Sequence, residues 1–230
     1  MVNKEQIFPS IITAGDSDWR ARIKEAGELG LKEAALFING ISLKERAELC
    51  DLLDGSEIKS IPILHLRNDV TELEVEYFYN EYGTKIFTIH PGAEYPFFSA
   101  LLKFEKNIFI ENTSVMFNEA ELRRYGGICL NISHLENERL QKSVKLAIFQ
   151  EFIERFPPHC NCISAIKKDP EKTFKGYLRY DDYLLGDFSE LDYLKNYPAG
   201  YFSNFIALEL KNDLKTQLAA RDYIVGMLNK

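Results

Sequence analysis

The chain has 230 residues, of which 46% are hydrophobic and 27% charged, a composition that allows a sizeable core and excludes a disordered chain. Its 35 acidic residues outnumber 28 basic ones, for a formal net charge of -7, which argues against duplex nucleic acid as the main partner because phosphate backbones bind positive surfaces. The N-terminus has no apolar signal region and no stretch approaches about 18 apolar residues, so we expect a cytoplasmic protein without a membrane span.

Short apolar runs alternate with helix-like segments along the chain. The runs begin near residues 7, 34, 58, 85, 107, 128, 161 and 205 and are typical of strands buried on both faces. Between them, Ser/Thr-x-x-Glu capping boxes at Ser42 and Thr71 mark two helix starts. Further helices are predicted from Trp19 to about Gly30, over 97–104, from Asn118 to Tyr125, from Ser143 to Phe156, and from Leu214 onward.

This order of elements predicts one α/β domain over residues 1–230, a (β/α)₈ TIM barrel, for which about 250 residues is typical. The alternative is an open doubly wound sheet, but no Gly-x-Gly-x-x-Gly follows the first strand. Strand seven is predicted from Cys162 to Ile166. The connection from Lys167 to Asn204 is predicted to be an ordered loop over the barrel mouth, with a short helix near its middle.

The four cysteines give no sign of a metal or disulfide framework. Only Cys160 and Cys162 are close in sequence, and their Cys-x-Cys spacing matches no common zinc or disulfide pattern. Together with Cys50 and Cys129, they are expected to be free buried thiols.

Five side chains that can carry or release a proton fall where predicted strands end. Glu111 closes strand five, Glu209 follows strand eight, and His65, His90 and His134 follow strands three, four and six. In parallel α/β sheets, ligands bind at the carboxyl ends of the strands. The sequence therefore predicts that these residues converge at the barrel mouth.

The two glutamates are the strongest signal in this set. A buried, unpaired carboxylate costs several kcal/mol, so each needs a cation, a metal or a histidinium. A pair of this kind can hold a divalent metal and move protons on a substrate carbon. The alternative is that each glutamate pairs with a nearby cation such as Arg67, Lys167 or Lys211.

Four segments carry a resemblance to a known superfamily: Ile89-His90-Pro91-Gly92, Ile110-Glu111-Asn112-Thr113, Leu130-Asn131-Ile132-Ser133-His134 and Ala207-Leu208-Glu209. In order and spacing the chain resembles the xylose isomerase-like barrels, which include sugar and sugar-phosphate isomerases and epimerases and endonuclease IV. His65 also stands where that family usually carries a strand-three histidine. The resemblance covers most of the chain, and His-Pro-Gly and Glu-Asn-Thr are its most specific parts.

The resemblance implies a divalent metal (Mn²⁺, Mg²⁺ or Zn²⁺) at the barrel mouth. Its implied ligands are Glu111, Asn131, His134 and Glu209, and the two glutamates are also the implied catalytic acid/base pair. His90 and His134 are expected to bind substrate hydroxyls or the metal, and His65 is a further candidate for substrate binding.

The sequence departs from the family pattern at the end of strand six, in strand seven and in the connection that follows strand seven. Asn131 stands in place of an aspartate, Ser164-Ala165-Ile166 lacks the expected histidine, and Tyr180-Asp181-Asp182-Tyr183 lacks the histidine of an Asp-x-His motif. A complete trinuclear zinc site, and with it endonuclease activity, is therefore not expected. Two alternatives remain open, which are one divalent metal with an incomplete ligand set and no metal at all.

Cations near the mouth are candidates for binding the substrate. Lys167 can fill the space of the missing histidine and act as an acid/base or bind a phosphate or carboxylate, and the alternative is a solvated lysine. Arg179 and Lys175 are weaker candidates for anion binding.

The leading hypothesis is a sugar or sugar-phosphate isomerase or epimerase that acts on a small sugar or polyol. The alternative is a non-catalytic barrel that binds a sugar-like ligand, and hydrolysis of abasic DNA is the least favoured interpretation. The sequence leaves the substrate, its phosphorylation and the oligomeric state open.

Overall fold

The computed structural model of the chain describes residues 1–96, 102–173, 176 and 178–229. The helix predicted over 97–104 falls mostly outside the described residues, and so does Lys175. The strands are β1 (Ile7–Phe8), β2 (Ser10–Ile12), β3 (Ala35–Phe37), β4 (Ile63–His65), β5 (Ile86–Ile89), β6 (Ile108–Glu111), β7 (Ile128–Asn131), β8 (Cys160–Ile163), β9 (Ala165–Lys172), β10 (Leu178–Asp182) and β11 (Ile206–Leu208).

Nine of these strands form one parallel sheet in the order β1-β11-β8-β7-β6-β5-β4-β3-β2. The two ends of the sheet, β1 and β2, are consecutive pieces of chain separated only by Pro9, which has no N–H to give to a ladder. β1 pairs with the last strand and β2 with β3, so the sheet is nearly closed. The predicted parallel α/β barrel is confirmed at this level, with the first strand in two pieces.

Seven α-helices are described: α1 (Trp19–Glu28), α2 (Leu43–Asp54), α3 (Glu72–Glu81), α4 (Glu119–Arg124), α5 (Ile132–Leu140), α6 (Lys145–Arg155) and α7 (Leu214–Leu228). Both predicted capping boxes are present, at Ser42 for α2 and Thr71 for α3. Helix α5 was not predicted, because its N-cap residue, Asn131, is also the last residue of strand β7. No helix among the described residues is long and apolar enough to cross a membrane.

Every second side chain along each strand points into the barrel, and these inward-facing side chains form a small apolar cluster. Its buried members are Phe8, Ile12, Ala35, Phe37, Ile63, Ile86, Phe109, Cys129, Cys160, Cys162 and Ala207. Because successive side chains of a strand point to opposite faces, the residue two positions further on faces the interior again. This period places His65, Thr88, Glu111, Asn131 and Glu209 on the layer above the apolar cluster, at the carboxyl ends of the strands.

The long connection after β8 contains a two-stranded antiparallel ribbon, β9 and β10, followed by a 3₁₀ helix at Phe188–Asn196. The predicted strand from Cys162 to Ile166 was therefore wrong at its C-terminal end, because the barrel strand stops at Ile163 and Ala165 already belongs to the ribbon. The ribbon is tied to α5 by the Tyr180 N–H, which donates to Asn137 Oδ1 at 2.9 Å.

Candidate active site

The side-chain amide of one asparagine bonds to both glutamates at the carboxyl ends of the strands. Asn131 Nδ2 donates to Glu111 Oε1 at 3.0 Å and to Glu209 Oε2 at 2.9 Å. All three residues are buried, with 1% of Glu111, 0% of Asn131 and 6% of Glu209 exposed. Strands β6, β7 and β11 thus deliver two carboxyl groups to opposite sides of a single NH₂ group.

The hydrogen-bond network fixes the orientation of the Asn131 amide. Its Oδ1 accepts the backbone N–H of His134 at 3.2 Å, as the N-cap of α5. A backbone N–H can only donate, so the oxygen must face the helix and the nitrogen must face the carboxyl groups. The predicted role of Asn131 as a metal ligand needs its oxygen, which this network directs to the helix.

Asn112 holds the ends of β6 and β7 together. Its Nδ2 donates to Asn131 O at 3.0 Å, and its Oδ1 accepts the Asn131 N–H at 2.7 Å. Its own carbonyl lies 2.8 Å from His134 Nδ1. Because a carbonyl only accepts, His134 carries a proton on Nδ1, and its Nε2 points toward Asn131 Nδ2 at 3.5 Å and Asp181 Oδ2 at 3.8 Å.

Three histidines surround Glu111. His65 Nδ1 lies 3.3 Å from Glu111 Oε2 and 3.0 Å from Thr88 Oγ1, and His134 Nδ1 lies 3.6 Å from Glu111 Oε1. The His90 ring packs edge-on against the His65 ring at 5.1 Å between centroids. All the strand-end residues predicted from the sequence therefore meet in one cluster.

The environment moves the pKa values of the two glutamates in opposite directions. Burial raises the pKa of Glu111, but the close contact with His65 and the electrostatic attraction of the three surrounding histidines outweigh it and hold the pKa well below its ordinary value. For Glu209, burial and the negative charge of Glu111 raise the pKa well above its ordinary value. The environment therefore favours the ionised form of Glu111 and the protonated form of Glu209.

The histidines differ in the same way. Burial lowers the pKa of His65, and the neighbouring Glu111 carboxylate only partly opposes this shift. Burial also opposes the charging of His90, but hydrogen bonding to Glu94 and the charge of Glu111 raise the pKa of His90 above its ordinary value. The Glu94 carboxylate in turn accepts a hydrogen bond from Thr113 Oγ1 at 2.5 Å.

His65, His90 and Glu111 together fit a divalent cation. One ligand atom from each lies within 4.8 Å of the others. In the described part of the chain, Glu111 Oε2 is a buried oxygen that completes no hydrogen bond, although His65 Nδ1 lies 3.3 Å away, so it is available to a cation. Two imidazole nitrogens and one carboxylate suit Zn²⁺, Mn²⁺ or Fe²⁺. This set overlaps the ligands implied by the family resemblance only at Glu111.

The predicted cations occupy the ribbon and not the carboxyl cluster. Lys167 Nζ donates to Leu184 O at 2.6 Å and to Glu190 Oε2 at 2.8 Å. Arg179 binds Asp181 Oδ2 through Nη2 at 2.8 Å and Nε at 3.0 Å. Both cations line a groove of roughly 680 Å³ beside the mouth.

The cations named as alternative partners of the glutamates bond to other carboxylates. Arg67 pairs with Asp69 at 2.8 Å, Lys167 with Glu190 at 2.8 Å, and Lys211 with Asp16 at 2.9 Å. The charge of Glu111 is therefore met by histidines and an amide, as the burial of a carboxylate requires.

Sequence reasoning did not assign a role to four residues of the site. Thr88 and Glu94 contact His65 and His90, Asn112 clamps two strands, and Asp181 comes from the ribbon to within reach of His134. Thr88 had a usable signal, because it lies two residues before His90 on a buried strand. Asp181 had a weak signal as the aspartate of an incomplete Asp-x-His pattern, but its approach to His134 depends on the antiparallel ribbon, which is set by tertiary packing.

Comparison with protein-family models gives no match for this sequence, and comparison with curated proteins gives none either. The geometry of the site is therefore the basis for the functional conclusion.

Proposed function

We propose that the chain is a (β/α)₈ barrel that isomerises or epimerises a small sugar or sugar phosphate, with Glu111 and Glu209 as the acid/base pair. The observation that carries this proposal is the Asn131 amide, which donates to both carboxyl groups while their pKa values diverge. Exchange of a proton next to a carbonyl needs one group ready to accept a proton and one ready to give it.

The two carboxyl groups divide the work. Glu111, held ionised, takes the proton from the carbon next to the substrate carbonyl. Glu209, held protonated, returns a proton, either to the opposite face of that carbon or to its neighbour. Afterwards the protonation states are exchanged, which is the state that the reverse reaction requires. Asn131 stays bonded to both groups throughout and keeps them aligned.

A divalent cation would be held by His65, His90 and Glu111, and would supply polarisation of the substrate carbonyl. The Glu94 carboxylate lies 3.4 Å from His90 Nδ1 and would orient the His90 ring, as carboxylates beyond the ligand shell commonly orient metal-binding histidines. The exposed edges of His90 and His134, whose side chains are 29% and 20% exposed, form the accessible side of the cluster.

The test is proton exchange with solvent. The protein, supplied with Mn²⁺ or Zn²⁺, is incubated in D₂O with a panel of pentoses, hexoses and their phosphates, and deuterium incorporation next to the carbonyl is followed by NMR. We expect incorporation into at least one sugar, and its loss in Glu111→Gln and in Glu209→Gln while both variants stay folded. Full activity of both variants on the active sugar, or no incorporation across the panel, would show that the assignment is wrong.

A second candidate is a barrel that binds a sugar without turning it over. The observation in its favour is the depth of the carboxyl groups, which are nearly inaccessible in this structure. Stoichiometric binding of a sugar by calorimetry, without deuterium incorporation into that sugar, would select this candidate.

A further inference from the structure

Three cysteines lie inside the barrel directly beneath the carboxyl cluster. Cys129, Cys160 and Cys162 are fully buried in the interior apolar cluster. In the sheet register, Glu111 lies beside Cys129, and Asn131 lies beside Cys162. Two of the thiols are therefore next to residues of the mouth on neighbouring strands.

The separation of two of these sulfurs fits a shared metal. Cys129 Sγ and Cys162 Sγ are 3.7 Å apart and form a weak S–H···S contact. Tetrahedral coordination with metal–sulfur bonds of about 2.3 Å places two thiolates about 3.8 Å apart. The two side chains can thus bind one ion with little movement.

Glu111 completes a set of three ligands. One of its oxygens and the two sulfurs all lie within 4.8 Å of one another. Independently of that grouping, Glu111 Oε2 is buried and completes no hydrogen bond among the described residues, although His65 Nδ1 lies 3.3 Å away. A buried carboxylate oxygen without an aligned donor is stabilised by a nearby cation.

We infer that Cys129, Cys162 and Glu111 form a binding site for a thiophilic divalent cation, Zn²⁺ or Cd²⁺, inside the barrel. Thiols bind such ions as thiolates, so binding releases the two Sγ protons to solvent while Glu111 binds as the carboxylate it already is. The thiols take no part in the proposed proton transfer, but the site shares Glu111 with that step and with the candidate metal site at His65 and His90. An ion bound to the two thiolates therefore competes with both for this carboxylate.

The experiment is a titration of the reduced, metal-stripped 230-residue chain with Cd²⁺ and with Co²⁺ under anaerobic conditions. We expect a sulfur-to-metal charge-transfer band that saturates at one equivalent. Cys129→Ser and Cys162→Ser should each lose the band. The matched controls Cys50→Ser, in helix α2, and Cys160→Ser, in the same interior but outside the ligand set, should keep it. His65→Ala should also keep it, because imidazole gives no thiolate band.

X-ray absorption of the wild-type zinc complex tests the same site independently of any effect of the substitutions on folding. We expect two sulfur neighbours at about 2.3 Å and lighter atoms in the remaining positions. A wild-type protein without the charge-transfer band, a band that survives in both Cys129→Ser and Cys162→Ser, or a zinc ion with only nitrogen and oxygen neighbours would each overturn the inference. None of these results bears on deuterium exchange, which tests the proposed function separately.

Discussion

Replacing Asn131 by aspartate tests the central interaction of the site while keeping the helix that starts there. Aspartate caps a helix as well as asparagine does, so the bond from the His134 N–H to the side chain at position 131 is retained. What changes is the inner half of the side chain, where an NH₂ group that donates to two carboxyl groups becomes an oxygen that can only accept. Three carboxyl groups then face one another in a buried space.

The magnitude follows from the two bonds lost. Asn131 Nδ2 makes bonds of 3.0 and 2.9 Å to Glu111 and Glu209. A hydrogen bond to a charged group contributes about 1.5–3 kcal/mol and one to a neutral group about 0.5–1.5 kcal/mol, and the site favours the ionised form of Glu111 and the protonated form of Glu209. We therefore expect Asn131→Asp to lower the free energy of unfolding by about 2–4.5 kcal/mol in the presence of a chelator. For a chain of this size, that is a fall in Tm of at least about 4 °C.

Two further signs distinguish this electrostatic cause from simple loss of packing. The added carboxyl group has its pKa raised in the folded state, so the variant binds an extra proton when folded and regains stability as the pH falls from 7.5 to 5.5. Saturating Mn²⁺ or Zn²⁺ should also restore the Tm, because three carboxylates bind a divalent cation that wild-type Asn131 does not.

The assay is thermal unfolding by circular dichroism at two pH values, with chelator and with metal. Asn131→Ser is the control, because serine keeps the cap and loses both bonds without adding a charge. It should be destabilised, and its stability should respond to acid and to metal no more than that of the wild type. An Asn131→Asp variant as stable as wild type in chelator, or one that responds to acid and metal no more than Asn131→Ser, would refute the network described above.

The remaining predictions concern pH, strand clamping and metal affinity. Glu209 and His90 have raised pKa values in the folded state, so the stability that each contributes is lost as the pH rises from its ordinary pKa through its folded-state pKa. Each group should lower the free energy of unfolding by up to about 1.4 kcal/mol per pH unit in that window, and Glu209→Gln should remove the Glu209 part of the slope in urea unfolding. Asn112→Ala removes two hydrogen bonds to buried backbone groups of Asn131 and should lower the free energy of unfolding by about 2–4 kcal/mol. The control Asn68→Ala removes one 3.3 Å bond at the surface and should lower it by less than about 0.5 kcal/mol. Mn²⁺ or Zn²⁺ should raise the wild-type Tm in proportion to the logarithm of the metal concentration. In His90→Ala, calorimetry should show an apparent Kd for the metal at least about tenfold higher, with a smaller rise in Tm. An equal Kd in both proteins would remove His90 from the ligand set.

The sequence predicted the parts of the fold that depend on local pattern. Continuous apolar runs separated by helix-sized intervals are enough to indicate parallel strands covered by helices, and both capping boxes were correct because a cap involves residues only three apart. Pro9 shows the limit of this approach. Its missing N–H divides the first strand, but only the closure of the sheet shows that the two pieces pair with opposite neighbours.

For the site, the sequence identified which residues end the strands, because a charged or imidazole side chain after an apolar run is visible without coordinates. Tertiary structure decided their relations. The bond from Asn131 to Glu209 joins residues 78 positions apart, and the ribbon that brings Asp181 to His134 pairs strands whose charged sequences carry no strand signal. Hydrogen-bond direction and the division of charge between two buried carboxyl groups depend on distances across the barrel. Those distances are set by the closure of the sheet, which no local pattern encodes.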